Sequence, residues 1–498
     1  NVGIGLFALN KNTTANDNTA MGYKALCTNT TGTRNVAVGC GALLKNTTAD
    51  CNVAVGRAAL ECNTTGAENT AVGNGGLGTN TTGCRNTALG RSALVLNTTG
   101  IENVAVGRNT LDANTTGGDN TAIGNSSLTT NTTGGSNAAV GKDSLAANTT
   151  GSSNTAVGKN ALNANTTASE NVAVGFESML SNTTGSNNTA IGRCTLRANT
   201  TAVRNTAVGA QALRDNTDGT LNTGIGVCAL MKNTTGESNT SVGHQALLCN
   251  TTGVDNIAIG VCALHANTDC SENVAVGNFA LRSNDNTNSV AIGFKALCAN
   301  TTGANNTAVG TNSLDGNTTA SDNTSLGKSS LGANTTGAEN TAIGKDALLT
   351  NTTASGNTAV GYKAMLSNTT GASNAAFGKC GLATLTTANF NTTVGVNSLK
   401  LLTTGTCNTA VGKDAGENTT TGNNNHGFGF AACASSATVS NEITLGNSSN
   451  NNLRCADTSI SSLSDLRDKK NIEDLPHGLD YILALRPVKF DWNTRDGT

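Results

Sequence analysis

The sequence predicts an all-β protein, built as a β-solenoid or β-roll of 17-residue repeats. From residue 1 to residue 424 the chain is an array of 25 copies of N-[T/V]-A-[V/I]-G-x-x-[A/S]-L-x-x-N-T-T-[G/A]-x-x, and only the copy at 273–288 has 16 residues. Only 3% of the 498 residues are aromatic and two are proline, whereas 59 are glycine. A chain this poor in large side chains buries its apolar groups by stacking repeats, because one repeat cannot enclose a core.

The first five residues of each repeat have the pattern of a short strand between turns. β-Branched residues recur at the second and fourth positions, and alternation places them on one face with alanine on the other. We expect columns of valine, alanine and leucine along the axis to form the core. Asparagines at the first and twelfth positions are expected to form side-chain ladders from repeat to repeat. At about 4.8 Å per repeat, the array predicts a rod of about 120 Å.

The glycine at the fifth position is present in every copy, as at Gly107, Gly260 and Gly412. We assign these as structural turn glycines, which need a positive φ or a backbone contact too close for a Cβ. The fifteenth position accepts alanine, as at Ala168, so left-handed geometry is not required there. Leucine at the ninth position is expected in the core. Nearly all charge lies at positions 6, 7, 10, 11, 16 and 17, which we expect to face water.

Composition argues against several classes of function. A net charge of −2 with no basic run argues against nucleic-acid binding, and the apolar stretches are too short for membrane insertion. The 15 cysteines are scattered over different repeat positions without a C-x-x-C pair. They predict neither a metal site nor a disulfide framework, and they favour assembly in a reducing cytoplasm. No set of Asp, Glu or His recurs, so we expect no cofactor and no catalysis in the repeats.

The repeats resemble two groups of known proteins. Their N-T-A-V-G strand is similar to the rungs of the β-roll heads of trimeric autotransporter adhesins, although the period differs. The longer unit N-T-A-V-G…A-L…N-T-T-G resembles the repeats that precede the C-terminal domain of predicted tail fibres. These resemblances imply a β-roll architecture. They leave open whether the rod closes as one chain or as three.

The repeat pattern decays after residue 424. Residues 425–463 have the character of degenerate last rungs and a connector, and residues 464–498 differ sharply in charge, with both prolines and the only tryptophan. A helix is predicted from Pro476 to the residue before Pro487, followed by a strand in which Val488, Phe490 and Trp492 alternate. This pattern predicts the start of a small α+β C-terminal domain.

The run S-D-L-R-D-K at 464–469, followed by N-I and then P-V-K-F-D-W at 487–492, resembles the intramolecular chaperone auto-processing domain of tailspikes, tail fibres and endosialidases. The resemblance implies that 464–498 is the truncated start of that domain. It also implies that Ser464 is a nucleophile, that Lys469 is its general base, and that the Leu463–Ser464 bond is the one cleaved. A lysine can act as a base when it is neutral, and positive neighbours favour that state. From spacing alone, a turn-capping serine and a solvated lysine remain an alternative.

The resulting hypothesis is a structural fibre of a virus or phage, a tail fibre for host attachment. The resemblance implies a homotrimer whose C-terminal chaperone assists trimerisation and then removes itself, in a fibre assembled in the host cytoplasm and carried on the virion. A host receptor or glycan would bind through a part outside this sequence. The alternative is a cellular surface adhesin with a β-roll stalk.

Each N-T-T is also an N-glycosylation sequon. Leu385 and Leu402 occupy the asparagine position in two repeats, which favours a buried asparagine ladder over an exposed glycan site.

Overall fold

The predicted all-β solenoid is confirmed by the computed structural model, which describes residues 1–452 and 454. The chain divides into a compact unit Asn1–Asn447, which holds all the strands of the described residues, and a second unit Ser448–Thr498. No helix occurs among the described residues. The helix and strand expected beyond Pro476 lie outside them.

The solenoid contains 27 strands of three residues, each paired in parallel with the next along the chain. Their bounds are β1 Val2–Ile4, β2 Thr19–Met21, β3 Val36–Val38, β4 Val53–Val55, β5 Thr70–Val72, β6 Thr87–Leu89, β7 Val104–Val106, β8 Thr121–Ile123, β9 Ala138–Val140, β10 Thr155–Val157, β11 Val172–Val174, β12 Thr189–Ile191, β13 Thr206–Val208, β14 Thr223–Ile225, β15 Thr240–Val242, β16 Ile257–Ile259, β17 Val274–Val276, β18 Val290–Ile292, β19 Thr307–Val309, β20 Thr324–Leu326, β21 Thr341–Ile343, β22 Thr358–Val360, β23 Ala375–Phe377, β24 Thr392–Val394, β25 Thr409–Val411, β26 His426–Phe428 and β27 Ile443–Leu445. β26 and β27 continue the stack beyond the regular repeats.

The core is a column of small residues and leucines. In the rung 103–119, Ala105 of the strand and Leu111 of the following turn are fully buried. The expectation that the valine column also lies in the core is wrong, because Val104 and Val106 are half-exposed. The space beside the strand is small: the middle strand residue is alanine in most rungs, and the larger residues that replace it in the regular repeats, Ser241, Ser325 and Thr393, are also fully buried. A Cβ placed on Gly224, which replaces the strand alanine in its rung, would already lie 3.3 Å from the Leu213 side chain.

Backbone hydrogen bonds between rungs run along the axis, both in the strands and through the turns. The amide of Val36 donates to the carbonyl of Asn52 at 2.8 Å, and the amide of Gly39 donates to Met21 in the preceding rung at 2.8 Å. In the turn, the amide of Leu43 donates to Ala59 at 3.0 Å. The turns are therefore stacked as regularly as the strands, which explains how so little strand supports so long an array.

The predicted asparagine ladders form inside the solenoid. At the twelfth position, Asn46 donates its Nδ2 to Oδ1 of Asn29 at 2.8 Å and to the carbonyl of Ala49 at 3.1 Å. At the first position, Oδ1 of Asn18 accepts from the backbone amide of Asn35 at 2.9 Å. Both asparagine columns are fully buried over most of the array, so their amides saturate turn backbone that water does not reach.

The twelfth-position ladder is interrupted where leucine replaces asparagine. Leu385 and Leu402 are fully buried at that position. Leucine has no amide to donate, and the buried Oδ1 of Asn368 in the rung before Leu385 has no hydrogen-bond partner. Oγ1 of Thr419, at the same position in the rung after Leu402, also has none. The interruption therefore leaves an unpaired polar atom at each end.

The fifth-position glycines adopt a conformation that other residues avoid. φ is 138° at Gly107, 131° at Gly260 and 133° at Gly412. A Cβ on Gly260 would also lie 2.6 Å from the carbonyl oxygen of Gly277 in the next rung. Backbone conformation and rung spacing therefore both require glycine here.

Three other positions of each regular rung also have a positive φ, although in all but four rungs none of them is glycine. In the rung 103–119 these are Asn109 at 53°, Leu111 at 51° and Asp119 at 61°. A left-handed leucine costs about 1–2 kcal/mol. It recurs through the array because this turn points the leucine side chain inward. Nothing in the residue types indicated this conformation in advance.

Replacing glycine at the fifth position should be far more damaging than a change at the fifteenth. We expect Gly260→Val to destabilise its rung by about 1–3 kcal/mol, because valine avoids this φ and its Cβ meets Gly277. Ala168→Gly should be nearly silent, since Ala168 does not have a positive φ. Thermal melting compares the two, and equal shifts in melting temperature would contradict the distinction.

The ninth and tenth positions should differ in tolerance to charge. Leu264→Asp buries an unpaired carboxylate, so we expect the neighbouring rungs to fray or unfold. His265 is only partly buried and lies beside Arg282 on the surface, so His265→Asp should be tolerated. Limited proteolysis, with cut sites mapped by mass spectrometry, measures fraying. Equal sensitivity of the two variants would reverse the assignment of inside and outside.

The two ladder leucines should be energetically coupled. Leu385→Asn and Leu402→Asn each remove buried apolar surface and introduce an amide facing an apolar neighbour. Made together, the two changes reconnect the ladder from Asn368 to Thr419. We therefore expect the double variant to be more stable than the sum of the single effects predicts, by about 1–2 kcal/mol. Amide hydrogen exchange of these rungs measures the stability of the single and double variants. Additive effects would show that the ladder does not act as a unit.

Candidate functional sites on the solenoid

The most extended feature of the surface is the outward side of the stacked strands, which we call the outer sheet face. It consists of the first and third residues of each strand. The third residue is apolar in all 27 strands, and the first is Thr, Val, Ile or Ala in every strand except β26, which has His426. Third residues such as Ile191, Ile259 and Leu326 are 41%, 39% and 46% exposed. A continuous apolar stripe is thus presented to the outside.

The N-T-T segment is a structural element. Asn46 is fully buried with its amide in the ladder, and Oγ1 of Thr47 donates to the carbonyl of Thr64 at 3.1 Å. Because the same arrangement recurs along the array, the asparagine nitrogen is out of reach of a glycosyl donor in the folded solenoid. The sequons are accounted for by packing.

The 16-residue rung brings a small acidic cluster together. Asp269, Cys270 and Asp285 place their ligand atoms within 4.8 Å of one another on the surface. Burial, followed by the charges of Asp285 and Asp269, raises the pKa of the Cys270 thiol to about 12. The cluster follows from the local loss of N-T-T.

A shallow groove lies on the same part of the array. Phe279 and Phe294 meet edge to face with centroids 6.1 Å apart, and Arg282 and Lys295 lie over the two rings at 5.7 and 5.4 Å. Asp315 lies at the groove, and burial raises the pKa of its carboxyl. These contacts explain the packing of the exposed ring of Phe294 against the partly buried ring of Phe279.

The predicted site residues divide into two groups. Gly107, Gly260 and Gly412 all follow the last residue of a strand and begin the turn after it. Ser464, Lys469 and the Leu463–Ser464 bond lie outside the described residues, so their roles stay predictions. Sequence reasoning missed the outer sheet face. Its signal was the unbroken apolar fourth position, which was assigned to the core.

The comparison with known families concerns the segment that carries those catalytic predictions. Residues 464–498 match the Peptidase_S74 family, the chaperone of endosialidase. Together with a solenoid of 17-residue rungs, this match fits a protein of the tail-fibre or tailspike type. The matched residues include both Ser464 and Lys469. No curated protein matches the chain.

Two further observations concern the described residues only. These residues contain no helix that is long and apolar enough to cross a membrane. Their cysteines are free thiols, among them Cys27, Cys194 and Cys380, so no covalent bridge links one rung to another in this part of the chain. The array is stabilised by hydrogen bonds and packing.

Proposed function

We propose that this chain forms the shaft of a viral or phage tail fibre that acts in host attachment. One observation carries the proposal, namely the junction of a long repetitive solenoid with a C-terminal segment that matches the endosialidase chaperone family. A chaperone of this kind serves a fibre whose chains fold with difficulty, and a stack of near-identical rungs is such a fibre. The protein is carried on the virion and assembles in the host cytoplasm.

The solenoid suits the role of a passive, rigid spacer. Its rungs repeat the same buried contacts from one end to the other, and its interior is occupied by alanine, leucine and asparagine. Stability in such an array is a sum of contacts between neighbours, so the length can be extended without redesign of the core. Receptor or glycan recognition belongs to a part of the fibre outside this sequence.

The C-terminal segment supplies assembly and its own removal. Three chains with the same period can pair in many registers, differing by whole rungs, with similar contacts. A chaperone domain that brings three ends together selects one register and produces a homotrimer. Cleavage of the Leu463–Ser464 bond then releases the chaperone and makes assembly irreversible. In that reaction Oγ of Ser464 attacks the carbonyl carbon of Leu463 while Lys469 accepts the hydroxyl proton. The C–N bond between Leu463 and Ser464 then breaks as the proton passes to the Ser464 nitrogen, and water hydrolyses the resulting ester to separate the two chains.

The mass of the full-length protein in native solution tests the proposal directly. We expect three copies of a chain shortened by the C-terminal domain, together with the released domain. A monomeric, uncleaved chain would contradict both the trimer and the self-removal. A trimer of uncleaved chains would contradict the self-removal alone.

Self-cleavage should depend on both predicted residues as one unit. We expect Ser464→Ala and Lys469→Ala each to leave full-length chains, with the double variant no worse than either. Trimers should still form, because registering three chains and cutting a bond are separate tasks. Cleavage should slow below neutral pH, since a protonated lysine cannot accept the serine proton. Gel analysis over time gives the rates.

Sequencing of the released fragment checks the position of the cut. The fragment should begin Ser-Asp-Leu-Arg, the residues from 464 onward. A fragment with another N-terminus, or undiminished cleavage in Ser464→Ala, would remove the enzymatic part of the proposal. Ser462→Ala is the matched control, because it changes a serine next to the cleaved bond but outside the dyad.

A further inference from the structure

The outer sheet face is too large and too apolar to be an ordinary exposed surface. It is three residues wide and 27 strands long, which at about 3.3 Å per residue and 4.8 Å per strand gives roughly 1,200 Å². An unbroken column of apolar third residues runs along this face, and a stable protein interface takes about 800 Å² from each partner. The area of the face is therefore that of an interface.

The edge that follows the strands is basic. It is formed by the residue directly after each fifth-position glycine, as at Arg57, Lys159 and Lys379. Between residues 6 and 447 this position holds ten Lys or Arg and no Asp or Glu, and all ten are exposed. Three of the lysines pair with the aspartate that follows them, as Lys142 does with Asp143 at 3.5 Å. Such exposed pairs are weak and leave the edge available.

The edge that precedes the strands is acidic. It is formed by the last residue of each repeat, as at Glu68, Asp119 and Glu170. This position holds nine Asp or Glu against three Arg, and all twelve are exposed. One of the arginines, Arg85, is paired with Glu102 of the same edge at 2.8 Å. The apolar stripe thus lies between a basic edge and an acidic edge.

This arrangement determines how two copies of the chain can meet. When copies are related by rotation about the fibre axis, their strands stack in the same direction, and the acidic edge of one copy faces the basic edge of the next. When one copy is turned end for end, acidic faces acidic and basic faces basic. Opposite charges at a seam favour association and like charges suppress it, so the edges favour the parallel, cyclic arrangement.

We propose that the outer sheet face is the surface on which copies of this chain pack, in parallel, around a common axis. The apolar third residues of the strands meet at the centre, and the acidic edge of each copy lies along the basic edge of its neighbour. The inference rests on the proposed homotrimer for the number of copies. Which face is buried, and in which direction the copies run, follow from the described residues.

Cysteine accessibility tests which face is buried. Leu326 lies on the outer sheet face and is 46% exposed, whereas Leu96 lies in a turn and is 49% exposed, so Leu326→Cys and Leu96→Cys are matched. The full-length protein is labelled with maleimide, and the label on each cysteine-containing peptide is measured over time. This distinguishes the introduced cysteine from the native thiols. We expect labelling at 326 to be at least about tenfold slower than at 96, because interface cores are packed as densely as interiors.

Native mass measured on the same samples separates the two proposals. A trimer in which both cysteines react equally fast would overturn the packing face while leaving the fibre proposal intact. A monomer would remove both. The packing face would also be overturned if the cysteine at 326 stayed protected from labelling after dilution to monomer. The face would then be covered by a part of the same chain.

Zero-length carbodiimide coupling tests the direction. Lys159 and Glu170 lie at opposite ends of the strand row, about six residues or roughly 20 Å apart within one chain, which is too far for direct coupling. In a parallel assembly the two edges meet, so we expect links between Lys positions of the basic edge and Glu or Asp positions of the acidic edge. Lys159→Arg keeps the charge and should remove its link. A buried face without any such links would overturn the parallel arrangement.

Discussion

Every feature of the solenoid depends on hydrogen bonding between one rung and the next. Strands of only three residues would not form a stable sheet alone, but here the turns pair along the axis as well, so nearly every part of a rung is tied to its two neighbours. The asparagine columns extend this pairing into the interior, where their amides bond each other and the turn carbonyls. The 17-residue period is the length at which all these bonds repeat together.

The regular turns contain strained backbone. Most rungs have three non-glycine residues in the left-handed region, including a leucine. Each rung also has a fifth-position glycine, and the backbone of the next rung leaves no room for a Cβ there in the regular repeats. The strain at any one turn is small beside the burial and hydrogen bonding that the turn permits. Where the period changes, at 273–288, the ladder changes locally: Asn284 donates to Asn286 and leaves Oδ1 of Asn267 without a partner. The fold is tolerant of such faults because contacts extend only to the next rung.

The distribution of chemistry along the chain follows from the same geometry. The interior of the solenoid is filled by alanine, leucine and asparagine, so titratable groups of the described residues meet at its surface, as Asp269, Cys270 and Asp285 do at one irregular turn. The predicted nucleophile and base lie instead in the C-terminal segment that matches the chaperone family. The solenoid presents a long face and two charged edges to a partner. Because each rung contributes one small part of them, contacts of the same kind can repeat along the array.

The sequence by itself determined the period, the presence of one short strand in each repeat, the glycine turn, the inward leucine and the asparagine ladders. Each of these follows from a residue type that recurs at a fixed spacing. Alternation also showed that the second and fourth positions share a face, but only the folded chain decided that this face is outside. The left-handed turn directs Leu111 to the same side as Ala105, and small side chains, mostly alanine, fill the remaining space. Which face of a strand is enclosed depends on the path of the turns, and the turns are set by contacts between rungs that no single repeat contains.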